Sequence, residues 1–243
     1  MVSGRKSQNS SALFLEGLKA SIPVTTGYFA VSAAYGMAAI IQGMTVNQAV
    51  ITSLTCLTSA GQFAGTTLIC AGASLLELIA TQLVINARYF LMSISLAQKT
   101  GTRIPLAQRL LMAYGITDEI YAIAISQKGT IRFAWFMGLV LGPVIGWSAG
   151  TWLGASASNI LPADLVNALG LSMYGMFIAI FVPAARKNKA VLCCVLLAIG
   201  LSCLFAFIPG LNELSDGYAI IIITVIVSAI MAWKFPRRED QEA

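Results

Sequence analysis

Apolar blocks long enough to cross a bilayer dominate the sequence. About 20 mainly apolar residues, coiled as a helix, cover the roughly 30 Å of hydrocarbon in a membrane. Such blocks run over 22–41, 49–72, 75–97, 110–126, 133–157, 165–185, 190–209 and 218–233. All eight read as helices, because lipid-exposed backbone has to satisfy its own hydrogen bonds. They are too long and too continuously apolar for barrel strands. The expected fold is therefore all-α: a polytopic integral membrane helical bundle of six to eight segments, two of them discontinuous or re-entrant. Residues 1–20 read as a cytoplasmic N-terminal segment, 21–234 as a single membrane domain and 235–243 as a cytoplasmic tail. The block at 22–41 reads as a retained first helix, not a cleaved signal peptide.

Composition excludes the other classes. Of the 243 residues, 58% are hydrophobic and 10% charged, against about 25% charged in soluble domains. The 15 basic residues lie in short groups between apolar blocks, unlike the continuous basic face of a nucleic-acid binder. There is no His and no Cys-x-x-Cys among five Cys, so neither a metal site nor a redox site is expected. Phosphate-cradling glycine loops are missing as well, and no cofactor is implied.

Two blocks carry internal breaks. Block 49–72 holds Thr58-Ser59-Ala60-Gly61-Gln62-Phe63 at its centre. Block 110–126 is short and contains Gly115-Ile116-Thr117-Asp118-Glu119. Glycine, then threonine, then two acids is a helix-start signal, with Thr117 as N-cap and the carboxylates in the positive first turn. Loop charges agree with a discontinuous reading. If both blocks are re-entrant, every Lys and Arg except Arg88 falls on one side, and Asp164, Glu213 and Asp216 mark the other. That is the positive-inside pattern, with both termini cytoplasmic.

Few polar groups remain at membrane depth. Arg88 is the one base there, and a cation at a helix centre costs about 2.5–3.5 kcal/mol on insertion scales, so it should face protein or water. Read as one helix, block 75–97 places Thr81, Arg88 and Ser95 on the side of Glu77, with Gln82, Asn86, Tyr89 and Ser93 opposite. Arg88 suits a substrate carboxylate or a structural pair with Asp118 or Glu119. Asp118 and Glu119 could carry a coupling proton, meet an ammonium, or simply cap their half-helix. Asn86, Ser59, Gly61, Gln62 and Thr117 complete the candidate substrate site, since unwound backbone and half-helix starts hold small charged groups in transporters. Glycines recur at 138, 142, 146, 150 and 154, a small-residue stripe for close helix approach within the chain or to another subunit. Pro143 is placed to kink the same helix. Trp135, Trp147, Trp152 and Trp233 read as interfacial anchors.

The run Asn86-Ala87-Arg88-Tyr89-Phe90-Leu91-Met92, the Gly115–Glu119 motif, the Ser59–Phe63 break and the opening Glu16-Gly17-Leu18-Lys19-Ala20-Ser21-Ile22-Pro23 together resemble the AzlC family. That family comprises large subunits of bacterial branched-chain amino acid exporters, and the resemblance spans about residues 12–235. It implies an inner-membrane secondary transporter exporting Leu, Ile, Val and Met by proton exchange. A small AzlD-type membrane protein subunit is implied as partner, with the lipid bilayer around both. Many members carry His after the motif arginine, where this chain has Tyr89; that shifts proton coupling to Asp118 or Glu119. A passive pore for another small solute would use the same polar groups without a titrating carboxylate. An intramembrane enzyme finds no base beside Ser59 or Thr117.

Overall fold

In a computed structural model of the chain, the described residues are 10–101, 104–158, 178, 182–183, 185–211 and 213–235. Their named elements are eleven α-helices: α1 (Ser10–Ala20), α2 (Ile22–Ile41), α3 (Val46–Thr55), α4 (Ala60–Cys70), α5 (Leu75–Ile85), α6 (Arg88–Lys99), α7 (Leu106–Tyr114), α8 (Asp118–Ser126), α9 (Phe133–Ala157), α10 (Lys189–Phe207) and α11 (Asp216–Lys234). Four of them, α2, α9, α10 and α11, are long and apolar enough to cross a membrane, and α5 with α6 would make a fifth span. The chain is thus a helical membrane protein.

Both expected breaks are present: α3 ends at Thr55 with α4 starting at Ala60, and α7 ends at Tyr114 with α8 starting at Asp118. A third break corrects the single-helix reading of 75–97, because α5 stops at Ile85 and α6 restarts at Arg88. Asn86 sits in the gap, and asparagine competes with helical hydrogen bonding through its own side chain. The two-faced polar helix argued from that block therefore does not exist as one rigid rod. The block at 165–185 falls mostly outside the described residues.

The chain forms two compact units. The first comprises Met1–Gln62 with Asn86–Gly170, and the second Phe63–Ile85 with Leu171–Ala243. In the first, the glycine stripe is occupied from within. A Cβ on Gly138 would stand 2.0 Å from the Phe14 carbonyl oxygen, on Gly146 2.6 Å from that of Thr25, and on Gly154 1.9 Å from that of Ala33. Gly142 faces the Ser21 and Thr25 hydroxyls, and Gly150 faces Phe29 and Ser32. Two glycines answer from the other side, Gly17 against Trp135 and Gly36 against Thr151. Positions rise together along both partners, so α1–α2 and α9 run parallel, backbone against backbone. The stripe is within-chain packing, and α1 belongs to this packed unit, with Leu13 and Gly17 buried. α9 continues as helix through Pro143.

Burial also corrects two of the tryptophans. Trp152 and Trp233 are exposed, but Trp135 and Trp147 are core residues, Trp147 only 1% exposed. Trp135 packs with Leu13, Met112, Ile116, Ile120, Phe136 and Leu139.

Within the second unit, Gly65 of α4 lies against the Gln82 amide of α5. Glu77, in the first turn of α5, is buried and accepts a hydrogen bond from Ser215 at the start of α11. The carboxylate therefore lies at two helix N-termini, where a negative charge is favoured. A cleft of about 460 Å³ lies in this unit between Thr67, Leu68, Phe205, Asp216 and Ile220.

Candidate functional site

The site is assembled at three chain breaks. At the first, Ser59 takes φ +42°, an uncommon left-handed conformation for a residue with a Cβ. Gly61 follows, and its missing side chain leaves room for two neighbours. A Cβ there would meet the Thr58 hydroxyl at 2.5 Å and the Asn86 amide at 2.9 Å. Glycine is thus required for the first break to seat against the second.

At the third break the sequence signal holds. Thr117 adopts extended backbone and its hydroxyl accepts from the Ile120 N–H at 3.4 Å, capping α8. Gly115 presses on Val140 of α9, where a Cβ would come within 2.4 Å. With Thr117 serving as cap, Asp118 and Glu119 are free to turn elsewhere. Asp118 reaches α6 and pairs with Arg88 at 3.0 Å. Their side chains are 44% and 41% exposed, so this pair is open, not sealed in packing. Arg88 also lies 5.2 Å from the Tyr89 ring centre. Glu119 takes a different partner, because Tyr28 Oη of α2 stands 2.5 Å from its carboxylate and 2.7 Å from Thr117 Oγ1.

Helix α8 is aligned along α6 over its whole length. Beyond the Arg88–Asp118 pair, Tyr121 Oη bonds Ser95 Oγ at 2.9 Å. At the far ends, Lys99 Nζ donates to the carbonyls of Ile125 and Gln127, the latter at 2.7 Å. The two helices are parallel, and their C-termini end side by side. Ile131 N–H donates to the Lys99 carbonyl at 2.9 Å, which holds the start of α9 at the same level.

Gln62 is drawn into a different arrangement. Trp147 Nε1–H donates to Gln62 Oε1 at 2.8 Å, and Gln62 Nε2 donates to Ser53 Oγ at 2.8 Å. Ser53 lies 2.7 Å from Thr151 Oγ1, which itself donates to the Trp147 carbonyl at 2.9 Å. Since the Thr151 proton is committed, Ser53 donates to Thr151, and the ring closes on the residue where it began. All four residues are buried, as polar groups can be when each is satisfied.

Of the sequence candidates, then, Arg88 and Asp118 are brought together, Thr117 and Glu119 meet through Tyr28, and Gly61 meets Asn86. Gln62 belongs to the buried ring. Tyr28, Ser53 and Thr151 escaped the sequence reading. Tyr28 had a signal: Thr25, Tyr28, Ser32 and Tyr35 form a polar row at helical spacing in an apolar block.

Comparison with known proteins gives this geometry its context. Residues 23–161 match the family described as AzlC protein. An uncharacterized membrane protein of Archaeoglobus fulgidus is 34% identical over 73% of this chain and 78% of its own length. The inner membrane protein YgaZ of Escherichia coli is 31% identical over 78% of this chain and 80% of its own. No solved structure matches the chain.

Proposed function

Because this chain belongs to the AzlC family, we propose that it is a secondary transporter of the inner membrane exporting Leu, Ile, Val and Met in exchange for protons. One observation carries this reading: a half-exposed Arg88–Asp118 ion pair at a helix start within apolar segments. An open pair at that depth faces water or substrate, because exposure to lipid is too costly. A zwitterion can replace each partner with its own opposite charge. Its carboxylate takes both guanidinium nitrogens of Arg88, and its ammonium takes Asp118 and Glu119. Arg88, Asp118 and Glu119 sum to one negative charge, and a zwitterion leaves that sum unchanged. One bound proton neutralises it, so proton and amino acid occupy the site with different net charge. Asn86, Ser59 and Gly61, at the two other breaks, would hold polar ends of the substrate.

Re-entrant topology is part of the proposal. α2 and α9 run parallel, which requires an odd number of crossings between them, and block 75–97 supplies one. The six residues at 100–105 let the chain reach at most about 25 Å between α6 and α7, less than the roughly 30 Å needed to reach the opposite face. With the ends of α6 and α8 adjacent, this supports α7–α8 as a hairpin entering and leaving on the cytoplasmic side. Both termini are then cytoplasmic, as is the cluster Lys99, Arg109, Lys128 and Arg132. An AzlD-type subunit remains the expected partner. The glycine stripe is already filled within the chain, so docking would use outward apolar faces such as Phe90 and Leu91.

Efflux of labelled leucine from vesicles containing this chain and its partner tests the reading. Efflux against a gradient that stops when the proton gradient is collapsed is expected. Efflux indifferent to the proton gradient would identify a passive pore, and no efflux of any branched-chain amino acid would overturn the assignment.

A further inference from the structure

We infer that Tyr28 is a positioning residue that reads the protonation state of Glu119 and passes it to the core of α9; this rests on the proton-exchange reading above. The phenol has one proton and two oxygen neighbours. An ionised carboxylate only accepts, so Tyr28 donates to Glu119, and the Thr117 hydroxyl must donate to Tyr28. Thr117 Oγ1 in turn accepts from Ile120 N–H. The result is a chain of fixed polarity running from Ile120 through Thr117 and Tyr28 to Glu119.

Protonating Glu119 removes the reason for that polarity. The acid now offers a hydrogen to Tyr28, the phenol turns its own toward Thr117, and the Thr117 proton loses its acceptor. Both bonds between α2 and α8 survive with reversed polarity, but the bond to Glu119 loses its charge assistance, so the grip of α2 on α8 weakens. Tyr28 transmits the change because its ring lies edge-on to Trp147, centroids 5.2 Å apart at 69°. Trp147 and Leu57 pack with it in one buried cluster, next to the break at 56–59. The ionisable groups facing this point are Arg88 and Tyr89 from α6, with Asp118 beside Glu119 on α8. α9 contributes apolar side chains to the cluster.

Trp147 supplies a readout independent of transport. Indole emission of the purified protein should show one transition as the pH is lowered, absent after Trp147→Phe. Glu119→Gln should abolish it. Tyr28→Phe, which keeps the ring, should abolish it too, while Asp118→Asn should leave it in place. In vesicles, Tyr28→Phe should flatten the pH profile of leucine efflux, an effect that mere loss of packing would not produce. A transition that survives Tyr28→Phe or Trp147→Phe overturns the inference, as does its absence from the parent protein. If the parent shows the transition but exports no leucine, the export reading falls while this one stands.

Discussion

Two hydrogen-bonded clusters sit within one unit and differ in how they end. The cluster around Gln62 is a ring: indole to amide, amide to Ser53, Ser53 to Thr151, and Thr151 back to the Trp147 carbonyl. The cluster around Tyr28 is a chain that ends on the carboxylate of Glu119, beside an open ion pair. A closed circuit of neutral groups has no free position for a proton or a ligand, so its work is structural. A circuit ending on an exposed, ionisable group can exchange that end with solvent or substrate. The same distinction separates the acids: Glu77 is buried at two helix starts, whereas Asp118 and Glu119 face outward from one.

Substitutions at the two clusters should accordingly fail in different ways. The largest loss of stability is expected for Gln62→Leu, which orphans the buried Trp147 N–H at about 1–3 kcal/mol and removes the amide donor to Ser53. Thermal unfolding should fall by several degrees, while efflux per folded molecule is retained. Arg88→Ala and Asp118→Asn should show the reverse. Each removes charge-assisted contacts worth about 1.5–3 kcal/mol to substrate, roughly a ten- to hundredfold loss of efflux. Stability should hardly change, since an exposed ion pair contributes about 0–1 kcal/mol. Unfolding of either variant, scored by melting in detergent, would place the pair with the structural cluster and break the contrast. Ser53→Ala should be milder than Gln62→Leu, about 1 kcal/mol, because the Trp147 N–H keeps its bond to Gln62. Smallest is Lys99→Gln, which loosens the C-terminus of α8 by about 0.5–1 kcal/mol; faster hydrogen exchange at 124–127 should report it.

How much of this could be read from sequence depended on range. Thr117 as a cap with two acids behind it is a local pattern, and it holds. The 56–59 break likewise announced itself through clustered hydroxyls and glycine. Arg88 and Asp118 are 30 positions apart, yet so few charges lie in the apolar blocks that scarcity alone pointed to the pair. Gln62 and Trp147 lie 85 residues apart, and nothing in either neighbourhood advertises their bond. The two looked like a substrate ligand and a membrane anchor until helix packing joined them. Tyr28 was hidden for the same reason, its partners being 89 and 91 residues away. The break at Asn86 has no glycine or proline beside it to announce it, and the glycine it meets, Gly61, lies on another helix.

The parallel seam of α1–α2 and α9 has a mechanical consequence. Where main chains touch directly, no side-chain rotamers are available to absorb a shift, and the two rods travel as one piece. Any movement within this unit is therefore left to the shorter segments packed around that spine.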